Sequence, residues 1–493
     1  MVGWICCPVA IVFALDRKTD RRFPGISQPQ TPDPAQAPGP HGVLGPPRAG
    51  RGEHFTRLLG RPWASPFPSH PPPLSTVKRF SSDARTLQWI DRWVGAPLCW
   101  LLTQVRRAEG LFQGAPPAQV RRILFLKLAE QGSTVLAHEA VRLACERVGR
   151  DNVYFLCFEE NRFVVDLVGL VPPQNVITVA TRTPASMVRG AFQAILGVRR
   201  LGIDACIDME FFARFSAAIA YLLGAERRVG FHVYFGEGPY RGDLMTHRVL
   251  YNPHLHTSRT FTSLVQALDF PPAAFPTLPV VPPESRPLPA FVAGEEEAKA
   301  VRAKLGSLGV PAEGRLVVLN ANAGDMLPLR RWALANYRDL AARLLSEFPG
   351  AWIVFTGSAE EAPGIAELAG SVGSPRSVCL AGQTTLRELV VLFGMAEVLV
   401  TNDSGPAHFA ALTSVDVVAL FGPETPLLYS APGPRSHPVW AGIACSPCVN
   451  AFNNRQTSCR DNVCMKAITV DQVHGVASRI FRERTGCSQG PAS

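Results

Sequence analysis

The chain has 493 residues, 47% of them hydrophobic and 18% charged, with twelve cysteines and a formal net charge of +9. That length and apolar content suit a large core divided into roughly two to four domains. The thiols are too sparse for a secreted disulfide framework, and no run of about twenty apolar residues marks a membrane-crossing helix.

The basic excess is confined to one end. Through Arg122 there are 16 Lys and Arg against 7 Asp and Glu, and the remainder holds 33 of each. A neutral body without aromatic-basic motifs argues against nucleic acid as a partner. A basic amino-terminal segment fits an anionic membrane surface better. Met1 to Leu15 is apolar and is followed by "DRKTDRR", which puts the charges on the wrong side for a secretory signal. No further Met occurs before Met187, so a start assigned too far upstream is the alternative. Arg22 to Ser75 contains 14 prolines and no apolar periodicity, and is expected to be a disordered extension.

Thr86 to Arg107 has Leu87, Ile90, Val94, Leu98, Leu101 and Val105 at helical spacing, with tryptophans and arginines on the borders and a break expected at Pro97. Two readings stand: a helix in the membrane interface, or a helix packed on the next domain. From Ile123 short β-rich runs alternate with longer helical ones: "ILFLK", "VYFLCF", "NVITVA", "DACIDM" and "RRVGF". A stretch with eight prolines, Pro271 to Pro289, reads as a linker. The alternation then restarts with "RLVVLNANAG", "AWIVFTG", "SVCLAG", "VLVTND" and "DVVALFG", and ends in a helix from Val470 to Arg484. The implied architecture is α/β: two doubly wound domains facing a cleft, with ligands at the carboxyl ends of the strands.

Within "VTNDSGPAHFAAL", an apolar strand gives way to Ser404 and Pro406, a good N-cap and an early helix position. The free N–H groups of Ser404, Gly405 and the first turn favour an anion. His408 can add a donor, and Asp403 suits hydroxyl groups. Capping alone is the plainer account of Asp403 and Ser404.

Together with "FGPETP", "LAGQTTLRELVVLFGMAEVLVTND", "NANAGDMLPLRRW", "FTGSAEE" and "ILFLKLAEQGSTVLA", this stretch resembles glycosyltransferase family 9, the ADP-heptose:lipopolysaccharide heptosyltransferase family, from about Ile123 to Val473. The resemblance implies a GT-B fold and inversion without a metal or other cofactor. It places a nucleotide-sugar donor on the C-terminal domain and a lipid-linked glycan acceptor on the N-terminal one, at the cytoplasmic face of the inner membrane. Carried over by motif, Asp403, Ser404, Gly405 and His408 would contact the donor's sugar and diphosphate. Arg330, where the family usually has Lys, would neutralise phosphate, and Glu360 would accept the ribose hydroxyls. The family usually carries Asp, as the base, where this chain has Ser133. A serine cannot take that proton unaided, so Glu130 on the same loop is the candidate base, with a solvated loop residue as the alternative.

Cys445, Cys448, Cys459 and Cys464 have a ligand count that suits structural zinc, though the second pair is loosely spaced; thiols or disulfides ordering a loop are the other account. The expected divisions are 1–85 as extension, 86–120 as amphipathic segment, 121–275 as acceptor domain, 276–292 as linker, 293–485 as donor domain and 486–493 as tail. The expected activity is transfer of heptose from ADP-heptose. The alternatives are an inactive sugar-nucleotide binder or a family enzyme with a different donor.

Overall fold

The computed structural model describes residues 90–109, 119–324 and 327–484. The expected disordered extension and the short tail lie outside them.

Two six-stranded parallel sheets organise the chain. The first contains β1 (Ile123–Leu126), β2 (Val153–Phe158), β3 (Val176–Val179), β4 (Ala205–Asp208), β5 (Arg227–Phe231) and β6 (His247–Val249), in the order β3-β2-β1-β4-β5-β6. The second contains β7 (Arg315–Asn320), β8 (Ala351–Thr356), β9 (Ser377–Cys379), β10 (Val398–Asn402), β11 (Asp416–Phe421) and β12 (Ser436–Trp440), in the order β12-β11-β10-β7-β8-β9. Each is the doubly wound arrangement, in which the chain reverses direction across the sheet between two central strands. Those strands are β1 and β4 in the first sheet and β7 and β10 in the second.

The central strands are continuous apolar runs because helices cover both faces; every residue of β1 is buried. On one face of the first sheet the helices His138–Val148 and Thr257–Gln266 pack with Phe125, Phe155 and Phe261. On the other, Pro184–Leu201 and Arg214–Leu222 close over Leu124, Leu126 and Leu156.

The Trp-rich segment belongs to that second layer. It begins as a π turn, Asp91–Gly95, and continues as an α-helix, Ala96–Glu109. The break at Pro97 is thus a change of winding at a point where a missing N–H disrupts little. The helix buries Gly95, Cys99 and Thr103 and is pinned by Arg214 to Asp91 at 3.0 Å and Arg106 to Asp243 at 2.9 Å. Of the expected stripe, Val94, Leu101 and Val105 face outward, 51%, 54% and 42% exposed, with Trp100 beside them at 58%. One face is packed and the other is open. Among the described residues no helix is long and apolar enough to cross a membrane.

The linker leaves the first core at Phe275 and Leu278 and joins the second at Leu288 and Phe291. The domains also meet directly. Val135 and Val164 of the N-terminal domain lie in the core of the C-terminal one, beside Ala407 and Phe409. Ala451 of the C-terminal domain is part of the N-terminal core.

Candidate functional site

The carboxyl ends of the four central strands supply most of the charged groups in the cleft. After β1 the chain places Lys127, fully buried, and then Glu130 in a left-handed turn with φ 68°. After β4 comes Glu210, which accepts from the N–H groups of Leu128 at 2.7 Å and Ala129 at 3.0 Å. Lys127 Nζ bridges both carboxylates, 3.1 Å from Glu130 and 3.0 Å from Glu210. The Ser133 hydroxyl is 3.1 Å from Glu130 Oε2 and 3.0 Å from the Glu130 carbonyl. Ser133 is therefore a donor that orients Glu130.

Glu130 also faces across the cleft. Its Oε1 pairs with Arg455 Nη1, and Arg455 Nε lies 3.3 Å from Glu424 Oε1. Glu424 Oε2 is 3.6 Å from Arg330 Nη1, which is 4.0 Å from Asp403 Oδ2. A row of alternating charge thus runs from Lys127 through Glu130, Arg455, Glu424 and Arg330 to Asp403, and joins the two domains.

Burial alone would raise the Glu130 carboxyl. Arg455 and Lys127, with hydrogen bonds from Lys127 and Ser133, outweigh it and hold the group at about 2. At Asp403 the balance reverses: burial and the neighbouring Glu424 raise the carboxyl well above its ordinary value despite Arg330. Asp403 is 3% exposed and its Oδ2 has no hydrogen-bond partner. The same holds for Arg330 Nε and His408 Nδ1, both buried. Buried polar atoms without partners are uncommon and call for a reason, and these three sit around one part of the cleft.

Asp403 and Ser404 follow β10, and the helix Gly405–Ala410 begins at once. Ser404 holds the N-cap position in extended conformation, φ −158°, but makes no side-chain cap; its hydroxyl donates to the Asn402 carbonyl at 3.1 Å. Capping therefore does not occupy that side chain, contrary to the plainer account. Asn402 fixes the loop that carries Arg330. It accepts from Trp332 N–H at 3.0 Å and donates to the Ala321 carbonyl at 2.9 Å.

His408 is buried against Gly132 of the other domain, where burial and then His256 lower it to about 4. Its imidazole is neutral at physiological pH, with one N–H to donate. Glu360 is exposed on the turn that follows β8.

Of the residues expected from the sequence, Glu130 and Ser133 stand after β1, Arg330 after β7, and Asp403, Ser404, Gly405 and His408 after β10, whereas Glu360 stands apart on its exposed turn after β8. Lys127, Glu210, Glu424 and Arg455 join them without having been expected. Glu424 lies inside the quoted motif "FGPETP", where no role was assigned to it. Arg455 lies in an Asn-rich loop, 325 residues from its partner Glu130, with no local pattern to mark it. The cysteines of the described residues are free thiols, and no three His, Cys, Asp or Glu among those residues are arranged to hold a metal.

The sequence model of the family described as "Glycosyltransferase family 9 (heptosyltransferase)" matches residues 196–457, more than half of the chain. Lipopolysaccharide heptosyltransferase 2 of Salmonella typhimurium is 37% identical over 102 residues, covering 20% of this chain and 29% of that protein. Its Escherichia coli K12 counterpart is 36% identical over 102 residues with the same coverage. The matched stretch thus spans less than a third of these relatives. Among solved structures, E. coli ADP-heptose lps heptosyltransferase II superposes with a TM-score of 0.57 at 18% identity, over 74% of this chain and 100% of that one. A glycosyltransferase family 9 structure from Veillonella parvula gives 0.57 at 17% identity, over 74% and 97%. These likenesses show the fold, two Rossmann-like domains of GT-B type.

Proposed function

The chain belongs to glycosyltransferase family 9, and from that premise we propose that it is an inverting glycosyltransferase transferring heptose from ADP-heptose to a lipopolysaccharide-core or related lipid-linked glycan. The observation that carries this is the row of charges between the domains, in which Arg330 Nε and Asp403 Oδ2, and His408 Nδ1 nearby, are buried without hydrogen-bond partners. Such a row can hold a polar, anionic ligand between the domains.

In this reading the diphosphate lies over the start of the Gly405–Ala410 helix, where backbone N–H groups and Arg330 meet its charge. Asp403, whose proton affinity is raised by burial and Glu424, takes sugar hydroxyls. His408 donates from a neutral imidazole, and Glu360 meets the ribose. The acceptor hydroxyl enters from the N-terminal side, beside Glu130, which takes its proton while Ser133 keeps the carboxylate aimed. Bond formation at the anomeric carbon proceeds as the diphosphate leaves with the electron pair, and fixed positive groups stabilise the developing charge.

The acceptor reading extends to the membrane. The outward face of the Ala96–Glu109 helix presents Trp100, Leu101 and Val105 beside exposed Arg107. Trp and Arg bordering aliphatic side chains suit the headgroup region of an anionic bilayer. We place the chain there as a peripheral protein at the inner face of the inner membrane.

A thermal-shift screen of nucleotide sugars, followed by a transfer assay with the stabilising donor, tests the proposal. ADP-heptose should raise the melting temperature more than its UDP or GDP counterparts, because a ligand that binds only the folded state stabilises it. If ADP-heptose is bound but no sugar is transferred to any lipid-linked glycan, the protein is a binder.

A further inference from the structure

The C-terminal domain sends residues 449–455 across the cleft as a tongue. Phe452 stacks on Phe212 of the other domain at 5.5 Å and meets Tyr251 edge-on at 5.1 Å. The tongue is built to keep its shape. Val449 N–H donates to the Pro423 carbonyl at 3.2 Å, the Asn450 and Asn453 side chains accept from each other's N–H groups, and Arg455 N–H donates to the Asn450 carbonyl at 3.0 Å. Asn454 and Arg455 have φ of 52° and 54°, and Glu130 meets them with 68°. Non-glycine residues in this region persist only where their surroundings enforce it, and such strain gathers at functional sites.

The tongue delivers one charged group. Arg455 lies between Glu130 and Glu424, with its guanidinium 5.6 Å from the centre of the Tyr429 ring. This poses a chemical difficulty for the base proposed above. A carboxylate gripped by Lys127 on one oxygen and Arg455 on the other, with Ser133 donating as well, has little affinity for a proton. Lys127 cannot be the one to leave, because it is fully buried and shared with Glu210. Arg455 can, since its other neighbours, Glu424 and Tyr429, belong to the donor-side domain.

We propose that Arg455 is a hand-over residue: it clasps Glu130 across the cleft in the free protein, and moves to the donor's diphosphate when the donor binds, which releases Glu130 to act as base. This rests on the donor-site reading above and adds the group that couples the two substrates. A planar guanidinium can give two parallel N–H groups to a diphosphate, a better partner than one carboxylate oxygen. In the step that follows, the acceptor oxygen bonds to the anomeric carbon and its proton passes to the Glu130 carboxylate. The bond from the anomeric carbon to the diphosphate oxygen breaks, and its electron pair leaves with the nucleoside diphosphate, where Arg455 now sits. The base is thus competent only while a donor is present.

Calorimetric titration of ADP into the full chain and its variants tests this. Arg455→Met should bind ADP about thirtyfold more weakly, the scale of a lost charge-assisted pair. Glu130→Gln should bind it about fivefold more tightly, because the arginine no longer has to leave a partner carboxylate. The gain should require the arginine, so Glu130→Gln with Arg455→Met should bind as weakly as Arg455→Met alone. A merely structural Arg455 gives no such gain. Where Arg455→Met shows no melting transition, Arg455→Lys replaces it, with a loss of about tenfold at an unchanged melting temperature. Folded Arg455→Met with wild-type ADP affinity, or Glu130→Gln with no gain, overturns the hand-over and leaves the donor site standing. Wild-type protein that takes up neither ADP, UDP nor inorganic pyrophosphate overturns the donor site and the hand-over together.

Discussion

Gly132 and His408, from opposite domains, touch. A Cβ built on Gly132 would stand 3.0 Å from His408 Nε2 and closer still to Cδ2, so no larger residue fits without parting the loop that carries Glu130 from the helix that follows Asp403. Gly132→Ala removes no chemical group, yet it should lower the melting temperature by the equivalent of about 1–3 kcal/mol, the usual cost of overpacking. It should also reduce kcat/KM for the donor by about tenfold, since small misplacements of positioned groups are costly. A melting curve and donor kinetics both matching wild type would show that the domains part freely here.

Glu130→Gln should cut turnover by about a hundredfold or more, the scale of general-base loss. Ser133→Ala should cost less, about tenfold, because the serine orients the carboxylate and moves no proton. Comparable turnover in Glu130→Gln and wild type would remove Glu130 from the mechanism.

His408 and Asp403 make opposite contributions to stability against pH. Burial lowers His408 from 6.5 to about 4, so between those values the unfolded chain binds the extra proton, and stability falls as pH falls through this window. His408→Gln should therefore flatten the melting temperature against pH between about 6.5 and 4. Asp403 is raised, so the folded state binds the extra proton, and stability falls as pH rises above the unfolded value of about 3.9. Asp403→Asn should melt higher than wild type at neutral pH while binding donor more weakly. A lower melting temperature in Asp403→Asn would mean that the ionised carboxylate stabilises the fold.

Trp100→Ser with Leu101→Ser should leave the melting temperature close to wild type, as changes at exposed positions shift stability by about 0.5 kcal/mol or less. Sedimentation with anionic vesicles should fall severalfold, and what remains should weaken further at high salt. Cys99→Arg, on the buried face of the same helix, should instead destabilise the domain. Vesicle binding unchanged by the double substitution would move the membrane contact elsewhere.

What could be read from the sequence divides along physical lines. Strands buried on both faces announce themselves as unbroken apolar runs, as in "ILFL" and "VLVTN". The edge strands β6 and β12 do not. β6 has three residues, and β12 contains Pro438, tolerable at an edge because one side of the strand has no partner. The stretch after β10 was legible because its residues are consecutive. The row of charges was not, because Glu130, Glu424 and Arg455 meet only when two domains close. Periodicity marks an apolar stripe on the Trp-rich helix but does not say whether membrane or protein covers it. The packed face uses Gly95, Cys99 and Thr103, small residues that allow close approach and carry little hydrophobic signal.

The tongue at residues 449–455 bears on how such proteins can be recombined. Exchanging acceptor domains between relatives to redirect specificity would ordinarily cut at the proline-rich linker. In this chain the N-terminal core is completed by Ala451 and Phe452, which come from beyond that cut. A chimera joined at the linker would pair the incoming domain with a foreign plug, and would also hand Glu130, or its counterpart, to an arginine selected beside another partner. The smallest exchangeable module is therefore discontinuous: the first domain together with the tongue.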